Sequence, residues 1–365
     1  MTVLIFLAVL FVLVLVHEFG HFITAKWSGM RVDEFAIGFP PRLLSWTRGE
    51  TVYTLNIIPI GGFVRIYGEN GSEETTALDT TRAFSYRPRM LQAIVLVAGV
   101  TMNILFAWAL YTTSYTIGVP TIVDDAQPGN TAPLVITSLL DNGVAKKAGL
   151  FPGDHITALA APDGTQAALS PRDISSFISS HGGTPLSLSY TRSGTARTVT
   201  LTPENIAVSG EATRPRVGFT TGFVTTLSYP FGKAVIEGGK ETVYNALDIA
   251  KGLATFLKQT VRGSAGLGDL TGPIGIAGMV GDASHFGLTA ILSFTAFISL
   301  NLAVVNLIPL PALDGGRLLI VGIEAVIRRP LNPKLIGRVY LGSFVFLILL
   351  MVVITGHDIV KLFHG

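Results

Sequence analysis

The 365-residue chain contains no cysteine, which excludes a disulfide framework and any thiolate metal site. It is also poor in charge. Asp, Glu, Lys and Arg make up 14% of the residues, where soluble domains average about 25%. The 26 basic and 24 acidic residues nearly cancel, so the bulk charge carries no footprint for a nucleic-acid partner. What fills the chain instead is apolar: 49% hydrophobic residues and a mean hydropathy of +0.54. The same numbers exclude disorder. They point to an integral membrane protein that carries one soluble insert.

Four stretches approach the roughly 20 apolar residues that a bilayer core demands. Residues 2–16 are uncharged, and their pattern continues to about Ala25. Residues 91–119 and 287–313 carry no charge, and residues 339–356 are uncharged though only just long enough. A cleaved signal peptide is the alternative for the first stretch, but no basic residue precedes it and no small-residue cleavage site follows. Lys and Arg cluster between spans one and two, from Lys26 to Arg89, and between spans three and four, from Arg317 to Arg338. The positive-inside rule then puts both termini and the central segment outside the cytoplasm.

Within that central segment, residues 133–203 read as a compact αβ module. Pro133–Leu139 and His155–Ala160 read as strands, and Asn142–Ala148 as a short helix ended by Gly149. Ser170-Pro171-Arg172-Asp173 has the form of a helix start, and the alternation from Leu186 to Leu201 reads as a hairpin turning at Ser193-Gly194. Lys147-Ala-Gly-Leu-Phe-Pro-Gly-Asp-His-Ile156 is similar to the bacterial PDZ pattern. That likeness implies a groove for an extended peptide or a docking face for an ectodomain; a spacer with no working groove is the alternative. From Phe231 to Arg262 an amphipathic helix is expected, lying on the membrane surface or packed on the module; one face of an ordinary domain helix is the alternative.

The chemistry concentrates in His17-Glu18-Phe19-Gly20-His21, a His-Glu-x-x-His pattern at the end of the first apolar run. On a helix the two imidazoles lie at i and i+4 and reach one tetrahedral metal, with Glu18 beside the open position. Ionisable groups inside a span cost about 2.5–3.5 kcal/mol each on insertion scales and are usually functional. A catalytic zinc site takes three protein ligands, and the other histidines fall in the module or outside the membrane. Span three runs in the same direction as span one and ends at Asp314, the one acid near its cytoplasmic end. Pro309 and Pro311 must break that helix, which is tolerated only against protein or a water-filled cavity, and Gly315-Gly316 then allow a sharp turn. A plain helix cap is the alternative role for Asp314.

Val52–Ile60 is β-rich, Gly61-Gly62 offers a turn, and Phe63–Tyr67 returns. An exposed edge of such a hairpin can hold an unwound substrate in extended form; a hairpin that merely seals the domain is the alternative.

Taken together, His17-Glu18-x-x-His21 and Leu313-Asp314-Gly315, preceded by Asn306, Pro309 and Pro311, resemble the site-2 protease family of intramembrane zinc metalloproteases, peptidase M50. The resemblance is greatest to its bacterial RseP-type branch, which cleaves membrane-embedded anti-sigma factors in regulated intramembrane proteolysis. It covers nearly the whole chain, including Gly61–Glu69, similar to that branch's membrane-associated β-hairpin, and Thr271–Ile276 before span three. It implies one Zn2+ on His17, His21 and Asp314, with Glu18 as the catalytic acid–base. It implies that Asn306 bonds substrate backbone, and with Pro309, Pro311, Gly61, Gly62 and Phe63 forms the expected substrate-holding set. The implied substrates are single-span membrane proteins in a bacterial plasma (inner) membrane. Better-known members of the branch carry two tandem PDZ domains, where this chain offers one.

The expected architecture is a polytopic α-helical membrane protein with four transmembrane helices, a membrane-associated β-hairpin and an inserted extracytoplasmic αβ PDZ domain. Residues 1–119 would form the first membrane part, 120–210 the PDZ domain, 211–286 a linker with the amphipathic helix, and 287–365 the second membrane part. The competing function is a non-catalytic PDZ-bearing membrane scaffold with a structural zinc. A metal transporter is disfavoured by the lack of a polar trail through residues 2–16.

Overall fold

The computed structural model describes residues 2–69, 80–123, 132–140, 143–206, 213–264, 266 and 271–364. In chain order these form α1 (Thr2–Trp27), β1 (Val32–Arg48), β2 (Thr51–Ile66) and α2 (Arg89–Ile117). There follow β3 (Val119–Val123), β4 (Leu134–Leu139), α3 (Val144–Lys147), β5 (His155–Ala160), α4 (Pro171–Ser180), β6 (Leu186–Arg192) and β7 (Thr195–Leu201). Then come β8 (Glu204–Ile206), β9 (Arg214–Arg216), β10 (Phe219–Leu227), α5 (Phe231–Val261), α6 (Pro273–His285), α7 (Leu288–Asn306), α8 (Asp314–Ile327) and α9 (Pro333–His364). The chain divides into two compact units. The first comprises Met1–Thr113, Phe231–Ala277 and Leu292–His357; the second comprises Ser114–Pro230, Gly278–Ile291 and Asp358–Gly365.

Four helices among the described residues are long and apolar enough to cross a membrane: Thr2–Trp27, Arg89–Ile117, Leu288–Asn306 and Lys334–Val360. Each falls on one of the four apolar stretches. The third is shorter than the uncharged run because α7 stops at Asn306 and residues 307–313 run as turns. Pro309 and Pro311 lack the N–H that would continue the helix, and their rings clash with the preceding turn. Gly315 and Gly316 have another use than the sharp turn expected of them. Both are helical, and a Cβ on either would collide with the backbone of Leu307 or Leu310. Their bareness lets the first turn of α8 nest against the broken segment.

In the first unit, buried Ala25, Met30 and Val32 pack with Ile66, Phe84, Val95, Leu96 and Val321, joining α1, α2 and α8 to the base of the β-sheet. A second cluster of Ala107, Tyr111, Ala296 and Leu300 joins α2 to α7. Amphipathic α5 covers the expected range and is tied to α2, where Trp108 Nε1 donates to Val235 O at 2.9 Å and Asn245 Nδ2 to the Tyr111 hydroxyl at 3.1 Å.

The hairpin differs from its sequence reading. Gly61-Gly62 is not its turn: β2 runs through both glycines, and the reversal lies between Arg48 and Thr51, which pair across Gly49-Glu50. The missed partner is β1, whose pattern is interrupted by Gly38 and Pro40-Pro41. Both strands bend, so residues 34–37 pair with 52–55 in ascending order on one side and with 65–62 in descending order on the other. The glycines serve close crossing instead. Gly61 has φ +97°, and a Cβ on Gly62 would stand 2.8 Å from Ala36 O. Glycine inside a strand commonly marks such an approach.

The second unit is built on a six-stranded sheet in the order β3-β10-β4-β5-β6-β7. Buried Leu134, Ile136, Leu159, Leu186, Leu188 and Leu201 on its inner face pack against Ile174 and Ile178 of α4. Ser170 caps α4 by accepting from Asp173 N at 3.1 Å, with Pro171 first in the helix. Ser193 (φ 49°) and Gly194 (φ 79°) close the β6–β7 hairpin with two left-handed residues, as a tight two-residue turn requires. The expected strands, short helix and hairpin are therefore present, apart from Asn142, which lies outside the described residues. Strands β3 and β10, not read from the sequence, complete the sheet.

Candidate metal centre

Helical spacing puts His17 and His21 one turn apart on α1, and both are buried. Their rings meet edge to face with centroids 4.8 Å apart. Asp314, the first residue of α8, arrives from the far side of the broken segment. Its Oδ2 lies 3.1 Å from His17 Nε2 and 3.2 Å from His21 Nε2, and the two Nε2 atoms are 3.2 Å apart. The helix-cap alternative does not describe it, since Leu313 occupies the cap position and the carboxylate faces the imidazoles.

The triangle is chemically incomplete. Val95 O can only accept, so His21 Nδ1, 2.8 Å away, carries the ring proton of the neutral imidazole and its Nε2 presents a lone pair. Asp314 Oδ2 is buried and receives no well-formed hydrogen bond. These two facing acceptors, His21 Nε2 and Asp314 Oδ2, call for a cation. The separations match one: ligand atoms about 2.0–2.1 Å from a tetrahedral zinc stand about 3.3 Å apart. Room for the imidazoles comes from Gly99 of α2, where a Cβ would collide with His21 Nε2 and stand 2.8 Å from His17 Cε1. The donor set of two imidazoles and a carboxylate suits zinc.

A cavity of about 300 Å³ opens on the triangle, lined by His17, Glu18, His21, Asp314, Arg317 and residues 63–66 of β2. Glu18, adjacent to His17, projects into the same space, and the position of a Gly62 Cβ would lie 3.6 Å from its Cγ. Phe63 lines the cavity, while Gly61 instead meets the ring of Phe39. Asn306 is buried with its amide 3.5 Å from His17 Nε2. Pro309 lies in the broken segment, and Pro311 lines a neighbouring cavity rather than this one.

Several neighbours escaped the sequence reading: Val95, Gly99 and Asn103 on α2, and the ion pair of Arg317 with Glu69. The amide of Asn103, a fully buried residue, lies 3.1 Å from His17 Nδ1. An uncharged amide and a glycine within an apolar span were the available signals, since polar and small residues there mark helix contacts.

The first segment of β2 beyond the glycines is a free edge on this cavity. Residues 62–65 pair with 37–34 on one side, and among the described residues no strand pairs with the other.

Comparison with known proteins finds relatives along nearly the whole chain. The chain is 31% identical to the zinc metalloprotease RasP of Geobacillus kaustophilus, covering 98% of this chain and 97% of that one. It is 28% identical to the regulator of sigma-W protease RasP of Bacillus subtilis, covering 99% of each. It is 29% identical to the zinc metalloprotease RasP of Bacillus licheniformis, again covering 99% of each. The model of peptidase family M50 matches residues 5–350. A multi-pass membrane chain whose matched region holds both histidines and the aspartate of the triangle belongs to peptidase family M50.

Proposed function

We propose that His17, His21 and Asp314 hold the zinc ion of this intramembrane metalloprotease and that Glu18 is its general base and acid. The observation that carries the reading is the convergence of three ligand atoms at 3.1–3.2 Å from two separate helices, with no donor satisfying Asp314 Oδ2. Bound zinc supplies the acidity that makes water a usable nucleophile near neutral pH and polarises the scissile carbonyl. Glu18 takes the proton of the attacking water and delivers it to the leaving amine nitrogen. Val95 O orients His21 through the Nδ1–H bond, and Gly99 keeps the space between the imidazoles clear.

A transmembrane helix buries its peptide bonds in i to i−4 pairs, so it must unwind before hydrolysis. The free edge at residues 62–65 offers replacement partners beside Glu18, and a substrate strand paired there lies extended along the cavity. Asn306 bonds the unwound backbone near His17. Substrates are single-span membrane proteins, anti-sigma factors among them; the named action of the Bacillus subtilis relative on sigma-W regulation supports this class.

The second unit serves as a PDZ domain. Its support is a groove of about 380 Å³ between Ile174 and Ile178 of α4 and Phe219–Thr221 of β10. Those β10 residues pair only with β4 among the described strands, leaving an edge for an added peptide or a substrate ectodomain. The Lys and Arg distribution supports a plasma-membrane orientation with both termini and this unit outside, and the metal centre toward the cytoplasm.

Co-expression of the wild type or Glu18→Gln with a single-span substrate tests the reading. A chelator-sensitive fragment made by the wild type and absent from Glu18→Gln is expected. Equal cleavage by both forms contradicts the role of Glu18.

A further inference from the structure

We infer that Asn103 is a positioning residue of the metal centre, whose side-chain carbonyl accepts the Nδ1–H of His17 and so turns the Nε2 lone pair toward the zinc. The inference rests on the reading of His17 as a zinc ligand.

Three residues of α2 face the two histidines at intervals of four: Val95, Gly99 and Asn103. Residues so spaced share one face of a helix. Val95 O takes the Nδ1–H of His21 at 2.8 Å, Gly99 leaves space for both rings, and Asn103 meets His17 Nδ1 at 3.1 Å. The stripe therefore addresses the inner nitrogen of each imidazole in turn. Asn103 is itself held firmly, with 0% exposure and its backbone carbonyl accepting from Ser299 Oγ at 2.8 Å.

The orientation of the amide decides the chemistry at His17. With Nδ2 toward the ring, as the structure has it, Nδ1 must accept, so the neutral imidazole keeps its proton on Nε2. A proton on Nε2 prevents that nitrogen from ligating a metal, and Asp314 Oδ2, 3.1 Å away, still receives no well-formed hydrogen bond. Asn103 Oδ1 is meanwhile buried with no partner. The two ends of a side-chain amide have nearly the same shape, and only their hydrogen bonds distinguish them. Exchanging them brings Oδ1 onto the Nδ1–H and frees the Nε2 lone pair. The exchange leaves the NH2 group where Oδ1 stood, so the metal drives it, not the amide's own hydrogen bonding. Ring nitrogens opposite a metal-bound nitrogen characteristically donate to such an acceptor.

The test measures zinc affinity by chelator competition on the purified full-length chain, without reference to activity. The variants are Asn103→Leu, Asn103→Asp and His17→Ala. Asn103→Leu keeps the volume and removes the acceptor, and should weaken zinc binding about 10–100-fold. Asn103→Asp keeps the acceptor, and should bind at least as tightly as the wild type. A role in packing alone predicts the reverse order, because a leucine suits an apolar span and a lone buried carboxylate is costly. The inference is overturned if Asn103→Leu binds like the wild type, or if Asn103→Asp is as weak as Asn103→Leu. Should the leucine variant fail to fold, Asn103→Asp decides alone, and a tenfold or greater weakening overturns the inference. Loss of zinc in His17→Ala with none in Asn103→Leu defeats this inference only. Retention in both defeats the metal-site reading as well.

Discussion

Gly99 of α2 lies so close to the Nε2 atom of His21 on α1 that no Cβ fits between them. The missing side chain is thus part of the candidate metal site. Gly99→Ala should leave the helix sound, since alanine is the better helix former by about 1 kcal/mol. Overpacking in a tight contact costs about 1–3 kcal/mol, and here the imidazoles must move to relieve it. The expected result is loss of bound zinc and of cleavage, with chelator-treated variant and wild type unfolding within that range of each other. Full zinc content in Gly99→Ala contradicts the close packing of α1 and α2.

The free edge of β2 makes a prediction about substrate geometry. The chain is free of cysteine, so a single Val64→Cys in the Glu18→Gln background gives one unambiguous thiol. A second cysteine is then stepped through the substrate span, and disulfide formation is scored at each position. Pairing as an added strand favours alternate positions, since strand side chains repeat every two residues. A substrate bound as an intact helix gives a period of about 3.6 instead.

Asp154 is the polar anchor of the second unit. It is buried at 1% exposure, accepts two bonds from Arg192 at 2.6 Å each, and also accepts from Phe151 N at 2.9 Å. Arg192 lies over the Phe151 ring, 4.5 Å from its centroid. Removing Asp154 leaves the partly exposed Arg192 and the Phe151 N–H without their acceptor, at a cost of about 1–3 kcal/mol. Asp154→Ala should expose the second unit to limited proteolysis while bound zinc in the first unit stays at the wild-type level. Unchanged protease resistance contradicts the anchoring role.

The β1–β2 turn carries an acid-sensitive clasp. The Arg82 guanidinium hydrogen-bonded to Glu50, with Lys26 beside it, lowers that carboxyl from 4.5 to about 2. A depressed folded-state value contributes stability that is fully present above the unfolded value and fades as pH falls through the folded one. The stability difference between wild type and Glu50→Gln should hold above pH 4.5 and vanish toward pH 2. Because the pair is partly exposed and screened, the effect is small. A difference that grows on acidification contradicts the assignment.

The convergence of His17, His21 and Asp314 was legible where local spacing carried it. His17 and His21 share a helix face by their interval alone, and Asp314 followed from the direction of span three and its two prolines. Asn103 and Gly99 were not legible, because what they touch depends on how α2 is rotated against α1, and a nearly featureless apolar span does not encode that angle. The hairpin was misread for a different reason. Gly61-Gly62 has the composition of a turn, yet the same residues also serve where backbones cross closely, and proximity to Ala36 and Phe39 selects the second use. Strand β1 was hidden by Gly38 and Pro40-Pro41, which break the alternation that marks a strand.

Zinc content compared between Asp314→Asn and Glu18→Gln is the most direct measure of how the centre is assembled. The purified wild type should hold one zinc ion per chain. Glu18→Gln should hold the same amount, with cleavage reduced about 10²–10⁴-fold. Asp314→Asn should lose the metal, because its neutral oxygen replaces the carboxylate that closes the triangle with His17 and His21. Full zinc occupancy in Asp314→Asn, or loss of zinc in Glu18→Gln, contradicts the account.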